Sequence, residues 1–144
     1  MLYFDDIPVG YKSHVGSYDL TKDEIIEVAT RWDPQPFHID EEAAKASVFG
    51  GLVASSVHLF AILTRLFFDH EDRIQTLAML SKDGIKLPHP ARAGDTLHYH
   101  TECTQAKQTS NPKRGIITLA DTLTNQNGEA VLTQTVTLMV ARIP

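Results

Sequence analysis

One short segment of the chain holds a carboxylate and an imidazole at a fixed spacing. Asp33 and His38 flank a stretch that contains Pro34 and Pro36, and each proline lacks a backbone N–H and restricts the residue before it. We therefore predict an extended, stiff loop from Asp33 to Ile39. A carboxylate and an imidazole held on such a loop can bind one water molecule between them, and one of the two can take its proton. The spacing predicts acid–base chemistry on water without deciding which group is the base.

Both residues also have ordinary structural interpretations. An aspartate beside a proline often ends a helix or sits in a turn, and a lone histidine is often a half-buried loop residue. We prefer the chemical interpretation of Asp33 and His38 because the two types occur together within one short, proline-stiffened motif.

Helices are predicted on both sides of this loop. Thr21 and Glu24 form a capping box, which predicts a helix from Thr21 to about Trp32. The acidic start at Asp40 predicts a short helix to about Ala46.

A third predicted helix runs from about Val57 to Phe68, with Ser55 or Ser56 as its cap. It is apolar on nearly every face, so it must be enclosed by protein.

The second half of the chain alternates with the period of a strand. Asn127-Gly128 is a strong hairpin signal, so the strands beside it should be antiparallel neighbours. These patterns predict an α+β fold in one domain, residues 1–144, with a curved antiparallel sheet wrapped around the apolar helix. The predicted strands are Gln75 to Ser81, Gly84 to Leu87, Thr96 to Gln108, Ile116 to Thr124 and Val131 to Val140.

Composition excludes several classes of protein. A net charge of −5 over 144 residues argues against nucleic acid as the main partner. The single cysteine, Cys103, cannot form an intrachain disulfide, and no cysteine–histidine cluster has zinc spacing. No signal peptide is visible, and the longest apolar stretch is too short and too polar to span a bilayer. We expect a cytoplasmic protein without a metal and without membrane contact.

The segment Asp33-Pro34-Gln35-Pro36-Phe37-His38, followed by Asp40, resembles the hydratase motif of the MaoC-like dehydratases, the (R)-specific enoyl-CoA hydratases. The usual motif reads Asp-x-Asn-Pro-aliphatic-His, so Gln35 and Phe37 depart from it. The stretches Phe49–Ser55 and Ala93–Leu97 are also similar to that family. The resemblance implies a hot-dog fold, acyl thioesters of CoA or of a carrier protein as substrates, and reversible addition of water across a 2,3-double bond in fatty acid metabolism. It implies no cofactor beyond the thioester itself.

The resemblance also implies roles for individual residues. Asp33 and His38 match the catalytic dyad, and Ser56 matches the position, usually glycine, whose backbone N–H polarises the thioester carbonyl. Gly51 is expected to allow close approach of the ligand, although it could equally be a plain turn. Thr64 falls where the hydratases carry a hydroxyl near the dyad, or its hydroxyl bonds back to the preceding turn.

Two other functions remain possible at this point. A hot-dog thioesterase acts on the same substrates, but those enzymes generally place a carboxylate on the central helix, and Val57 to Phe68 contains none. A non-catalytic acyl-CoA-binding protein would have no use for the pair Asp33 and His38. Because an open sheet edge invites pairing, we also expect a homodimer or a larger homo-oligomer.

Overall fold

A five-stranded antiparallel sheet curves around one helix in the computed structural model, which describes residues 1–144. Three shorter helices precede the central helix along the chain, and a 3₁₀ turn lies at Phe4–Asp6. The elements are β1 (Lys12–Asp19), α1 (Lys22–Trp32), α2 (Pro36–Ile39), α3 (Glu41–Ala46), α4 (Ser56–Asp69), β2 (Thr76–Lys86), β3 (Thr96–Gln108), β4 (Arg114–Thr124) and β5 (Ala130–Ala141).

The strands lie in the order β1-β3-β4-β5-β2. The predicted hairpin is confirmed: β4 and β5 are antiparallel neighbours, and Gly128 takes the φ of +76° that its turn requires. The two short strands predicted from Gln75 to Leu87 are instead one strand, β2, whose pairing with β5 is interrupted by register shifts. Strand β1 was not predicted, because only Val15 of its residues is buried and the apolar alternation is too weak to detect.

Helix α4 lies on the concave face of the sheet. Its buried side chains include Leu59, Leu63 and Leu66, which belong to one core cluster with Leu97 and Leu123 of the sheet. Two of its apolar residues, Val57 and Phe68, are 42% and 58% exposed, so the enclosure expected for this helix is incomplete in a single chain. A curved antiparallel sheet around one apolar helix is the hot-dog arrangement, and the predicted α+β fold is confirmed. None of the helices has the length and apolar character needed to cross a membrane.

A polar contact ties α1 to α4. Thr21 caps α1 by accepting from the Glu24 N–H, as predicted, but the Glu24 carboxylate does not complete the capping box. It accepts instead from the Tyr18 hydroxyl and from His58 Nε2, at 2.7 Å, because the imidazole of α4 is buried and needs a partner. Burial, followed by the bond to Glu24, raises the pKa of Tyr18 to about 12.

This contact predicts a pH-dependent contribution to stability. Burial alone would raise the pKa of Glu24, but the hydrogen bonds from Tyr18 and His58 outweigh it and lower that pKa below its ordinary 4.5. A carboxylate with a lowered folded-state pKa stabilises the fold above its unfolded pKa, and this stability is lost as the pH falls through the folded value. Urea unfolding should therefore show Glu24→Gln less stable than wild type at pH 7, with the difference shrinking below pH 4.5. Glu27→Gln, on the exposed side of the same helix, serves as the control and should unfold like wild type at both pH values.

Candidate active site

The two prolines shape the site differently from the predicted extended loop. Gln35 is extended, with φ −64° and ψ 140°, as a residue before proline should be. Pro36 is then the first residue of α2. A backbone N–H at that position has no partner within the helix, so proline costs no hydrogen bond there. Asp33 is the residue that ends α1, and His38 lies on α2, so a junction of two helices holds the pair.

The environment of His38 fixes which ring nitrogen carries the proton. Nδ1 lies 2.6 Å from the Val53 carbonyl oxygen, and a carbonyl can only accept, so Nδ1–H is the donor. In the neutral ring Nε2 then presents a lone pair, and the side chain around it is only 8% exposed. His38 is therefore oriented as a proton acceptor.

The acceptor nitrogen of His38 faces the carboxylate of Asp33. Nε2 and Oδ2 are 3.4 Å apart, and Oδ2 also accepts a hydrogen bond of 2.6 Å from the Ser55 hydroxyl. Because neutral Nε2 and the carboxylate are both acceptors, one water molecule can donate a hydrogen to each. The spacing of Asp33 and His38 thus brings the two side chains together, as the sequence predicts.

Ser55 is a polar contact of the pair that sequence reasoning did not identify. It is 1% exposed, it caps α4 by accepting from the Val57 N–H at 3.3 Å, and it orients Asp33. The sequence signal was present, since Ser55 and Ser56 were both candidates for the helix cap. Only the packing of α4 against α1 shows that Ser55 reaches a carboxylate 22 residues away.

Ser55→Ala should lower both activity and stability. The variant loses the helix cap, which costs about 0.5–2 kcal/mol of unfolding free energy, and it frees Asp33 to rotate away from His38. Thr21→Ala removes a comparable cap from α1, far from the pair, and should cost similar stability without lowering turnover. Thermal unfolding and steady-state rates of both variants separate the two effects. Equal turnover by the two would show that Ser55 acts only as a cap.

The first turn of α4 borders the same cavity. Ser56 is the first residue of α4, and its backbone N–H has no acceptor within the protein. Free N–H groups at a helix N-terminus carry partial positive charge, so this one can hold an oxygen that gains negative charge. The cavity has a volume of ≈ 340 Å³ and is lined by Asp33, His38 and Ser56 together with apolar side chains such as Leu59 and Val131. That size and lining suit a small organic ligand.

Gly51 and Thr64 lie outside this cavity. Gly51 is in the loop before α4, where a side chain would meet the Arg92 guanidinium at 3.4 Å, and Arg92 holds the loop by donating to the Phe49 carbonyl. Thr64 lines a second cavity further along α4, and its hydroxyl donates to the Phe60 carbonyl at 2.9 Å, as the structural alternative for this residue predicts.

Two further residues lie beside the pair or its cavity. Trp32, which ends α1 beside Asp33, is 63% exposed, and the Arg31 guanidinium lies over its ring. His89 lines the cavity of the pair, but its Nδ1 binds the Ala130 carbonyl at 3.1 Å and its Nε2 lies 3.6 Å from Glu129.

The chain matches the MaoC like domain family over residues 10–125. It belongs to this family. This MaoC-like chain is similar to the structure of a MaoC-like dehydratase from Rhodospirillum rubrum, with 35% identity, coverage of 100% of this chain and 99% of the other, and a TM-score of 0.94. It is also similar to the structure of the (R)-hydratase PhaJ1 from Pseudomonas aeruginosa, with 19% identity, coverage of 98% and 86%, and a TM-score of 0.80. At 19% identity, the similarity to PhaJ1 shows only that the two chains share a fold. The uncharacterized protein YdeM of Bacillus subtilis is 28% identical over 142 residues, which are 96% of this chain and 98% of YdeM.

Proposed function

We propose that this MaoC-like chain is an (R)-specific enoyl-CoA hydratase, which adds water reversibly across the 2,3-double bond of an acyl thioester. The observation that carries the proposal is the convergence of three groups on one apolar cavity. These are the acceptor nitrogen of His38, the carboxylate of Asp33 and the free N–H of Ser56. The 35% identity with a protein described as a MaoC-like dehydratase supports the same reaction class.

The thioester carbonyl is polarised at the N-terminus of α4. In this proposal its oxygen accepts from the Ser56 N–H, and negative charge develops on it as water attacks C3. The donor is a backbone group, so the serine side chain at a position that is usually glycine does not remove it. The positive end of α4 adds to the stabilisation, since α4 has 14 residues and Ser56 is its first.

The pair Asp33 and His38 handles the water and its protons. His38 Nε2 accepts a proton as the water oxygen bonds to C3, and the π electrons of the double bond move to the carbonyl oxygen to give an enolate. The Asp33 carboxylate stabilises the resulting imidazolium at 3.4 Å. The same proton then passes from His38 to C2 as the enolate collapses, so one water is added and the pair is restored. Dehydration follows the reverse path.

The assembly we propose is a homodimer that forms through β2. This strand lies at an edge of the sheet, and it carries four large apolar side chains that are 42–53% exposed, namely Leu77, Met79, Leu80 and Ile85. An apolar strand edge is a template for pairing with a second copy. The acyl-CoA substrate and cytoplasmic location are part of the same proposal. Light scattering, recorded as the protein elutes from a size-exclusion column, measures the mass of the assembly.

One assay separates hydration from its two rivals. The protein is incubated with a short 2-enoyl-CoA while enoyl absorbance and free thiol are both followed. Hydration lowers the absorbance without releasing thiol, hydrolysis by a thioesterase releases thiol, and a binding protein does neither. Chromatography of the product on a chiral phase then tests for the (R)-3-hydroxyacyl thioester. Thiol release, or an unchanged absorbance, would reject the proposed reaction.

A further inference from the structure

A buried polar cluster lies on the apolar face of the sheet, away from the pair Asp33 and His38. The strand register places Thr101, Asp121 and Gln134 side by side on β3, β4 and β5, and each is at most 5% exposed. Thr101 donates to one carboxylate oxygen of Asp121 at 2.7 Å, and Gln134 donates to the other at 2.9 Å. A charged group under a central helix is costly, so a cluster that the dyad chemistry does not use calls for a function.

The cluster borders a cavity of ≈ 70 Å³, which has room for a small chemical group. Lys82, half-buried on β2, reaches into this cavity between α4 and β5. Its Nζ lies 5.4 Å from the Phe60 ring centre and donates to Gln134 Oε1 at 3.3 Å. Burial lowers the pKa of Lys82, and the charge of Asp121 opposes that effect.

The unused hydrogen-bonding groups of the cluster are mostly donors. Both oxygens of Asp121 are already occupied, and Gln134 Oε1 accepts from Lys82. Two N–H groups of Lys82 and one of Gln134 have no partner within the protein. The cavity therefore suits an acceptor oxygen. Burial raises the pKa of Asp121, and a second carboxylate beside it would add a like charge at a site that already disfavours charge, so a neutral acceptor such as a hydroxyl or a carbonyl fits better.

The second cavity lies along the same helix as the cavity of the pair. Leu59 of α4 and Val131 of β5 line the first cavity, whereas Leu63 and Gln134 of the same two elements line the second. Ser56, which we propose to bind the thioester carbonyl, is separated from Leu63 by a rise of about 10 Å along the helix. A medium-length acyl chain that started at Ser56 and followed α4 would span this distance and end at the polar cluster.

We infer that the cavity formed by Lys82, Asp121 and Gln134 binds a neutral oxygen, a hydroxyl or a carbonyl, at the far end of the acyl chain of the substrate. The inference rests on the proposed thioester substrate and makes Lys82 a residue that determines specificity. A plain alkyl end would leave the free N–H of the buried Gln134 without a partner and would displace water from Lys82, and a site built to hydrogen-bond a polar group discriminates against ligands that lack it.

The test measures binding, so that it does not depend on turnover. Calorimetry compares two saturated acyl-CoA ligands of equal, medium chain length, one ending in methyl and one carrying a hydroxyl or keto oxygen near its end. We expect wild type to prefer the oxygenated ligand by at least about tenfold, which corresponds to ~1.4 kcal/mol. Lys82→Met should bring this ratio close to one, and Lys82→Arg, which keeps the donors, should retain a preference. The control Lys86→Met, on the exposed part of the same strand, should behave like wild type.

The outcomes are distinguishable from those of the hydration assay. A short enoyl-CoA does not extend to the second cavity, so its hydration tests the first cavity alone. Equal affinity for the two saturated ligands in wild type, a ratio unchanged by Lys82→Met, or failure of both to bind would overturn the oxygen site even where hydration is observed. A preference that Lys82→Met abolishes supports the site even where hydration is not.

Discussion

Asp33→Asn should lose hydratase activity by about 10²–10⁴-fold while keeping the wild-type fold. Asparagine keeps the size of the side chain and can still accept from the Ser55 hydroxyl. It cannot stabilise the imidazolium that forms on His38 when water gives up its proton, because it carries no charge. Steady-state rates on a short 2-enoyl-CoA measure the loss, and circular dichroism with thermal unfolding reports on the fold.

Two companion variants sharpen this test. Asp40→Asn changes a nearby carboxylate that caps α3 and lies outside the cavity, and it should keep nearly full activity because asparagine caps equally well. His38→Gln should lose as much activity as Asp33→Asn, and the double variant should lose little more, since residues that act as a unit are not additive. Wild-type turnover by folded Asp33→Asn would remove the pair from the mechanism.

Ser56→Pro should lower kcat by about 10²–10³-fold without unfolding the protein. The change removes the backbone N–H at the first position of α4, together with the serine hydroxyl. Proline is well tolerated at that position, because the N–H there has no partner within the helix. The preceding residue must be extended, and Ser55 already is, with φ −67° and ψ 149°. Rates on a short enoyl-CoA and the thermal unfolding temperature are the measurements.

The matched control for this variant is Ser56→Ala. It removes the hydroxyl and keeps the N–H, so it should retain most of the wild-type rate if the backbone supplies the hydrogen bond. If instead Ser56→Ala were as slow as Ser56→Pro, the serine hydroxyl would be the donor. Full activity in Ser56→Pro would mean that the thioester carbonyl binds elsewhere.

Together these variants assign a different task to each part of the site. In the proposed mechanism, Asp33 and His38 act on the water, the N–H of Ser56 acts on the carbonyl, and Ser55 keeps Asp33 in place. The site is spread over three helices. Asp33, His38 and Ser56 border one cavity, and Ser55 contacts Asp33 directly. The rates of the variants on one short substrate therefore report on the same site.

Sequence alone determined the features that depend on neighbours within a few residues. The spacing of Asp33, Pro36 and His38 predicts an acid and an imidazole held together, and the structure places them 3.4 Å apart. The turn at Asn127-Gly128 fixed the pairing of β4 and β5, and alternation gave the bounds of β3 without error. These signals are local: a turn type, a proline restriction or a two-residue period is set by the residues that form it.

The tertiary structure is needed to show which side chains that are distant in sequence contact one another. The tautomer of His38 is set by the Val53 carbonyl, Asp33 is oriented by Ser55, and Thr64 turns out to face a different cavity. The sequence hints at the burial of Asp121, because it lies on the same face of β4 as the apolar Leu119 and Leu123. Its hydrogen-bond partners, however, lie on other strands. Which side chains touch across α1, α4 and the sheet depends on how these elements pack, and no pattern within one segment carries that information.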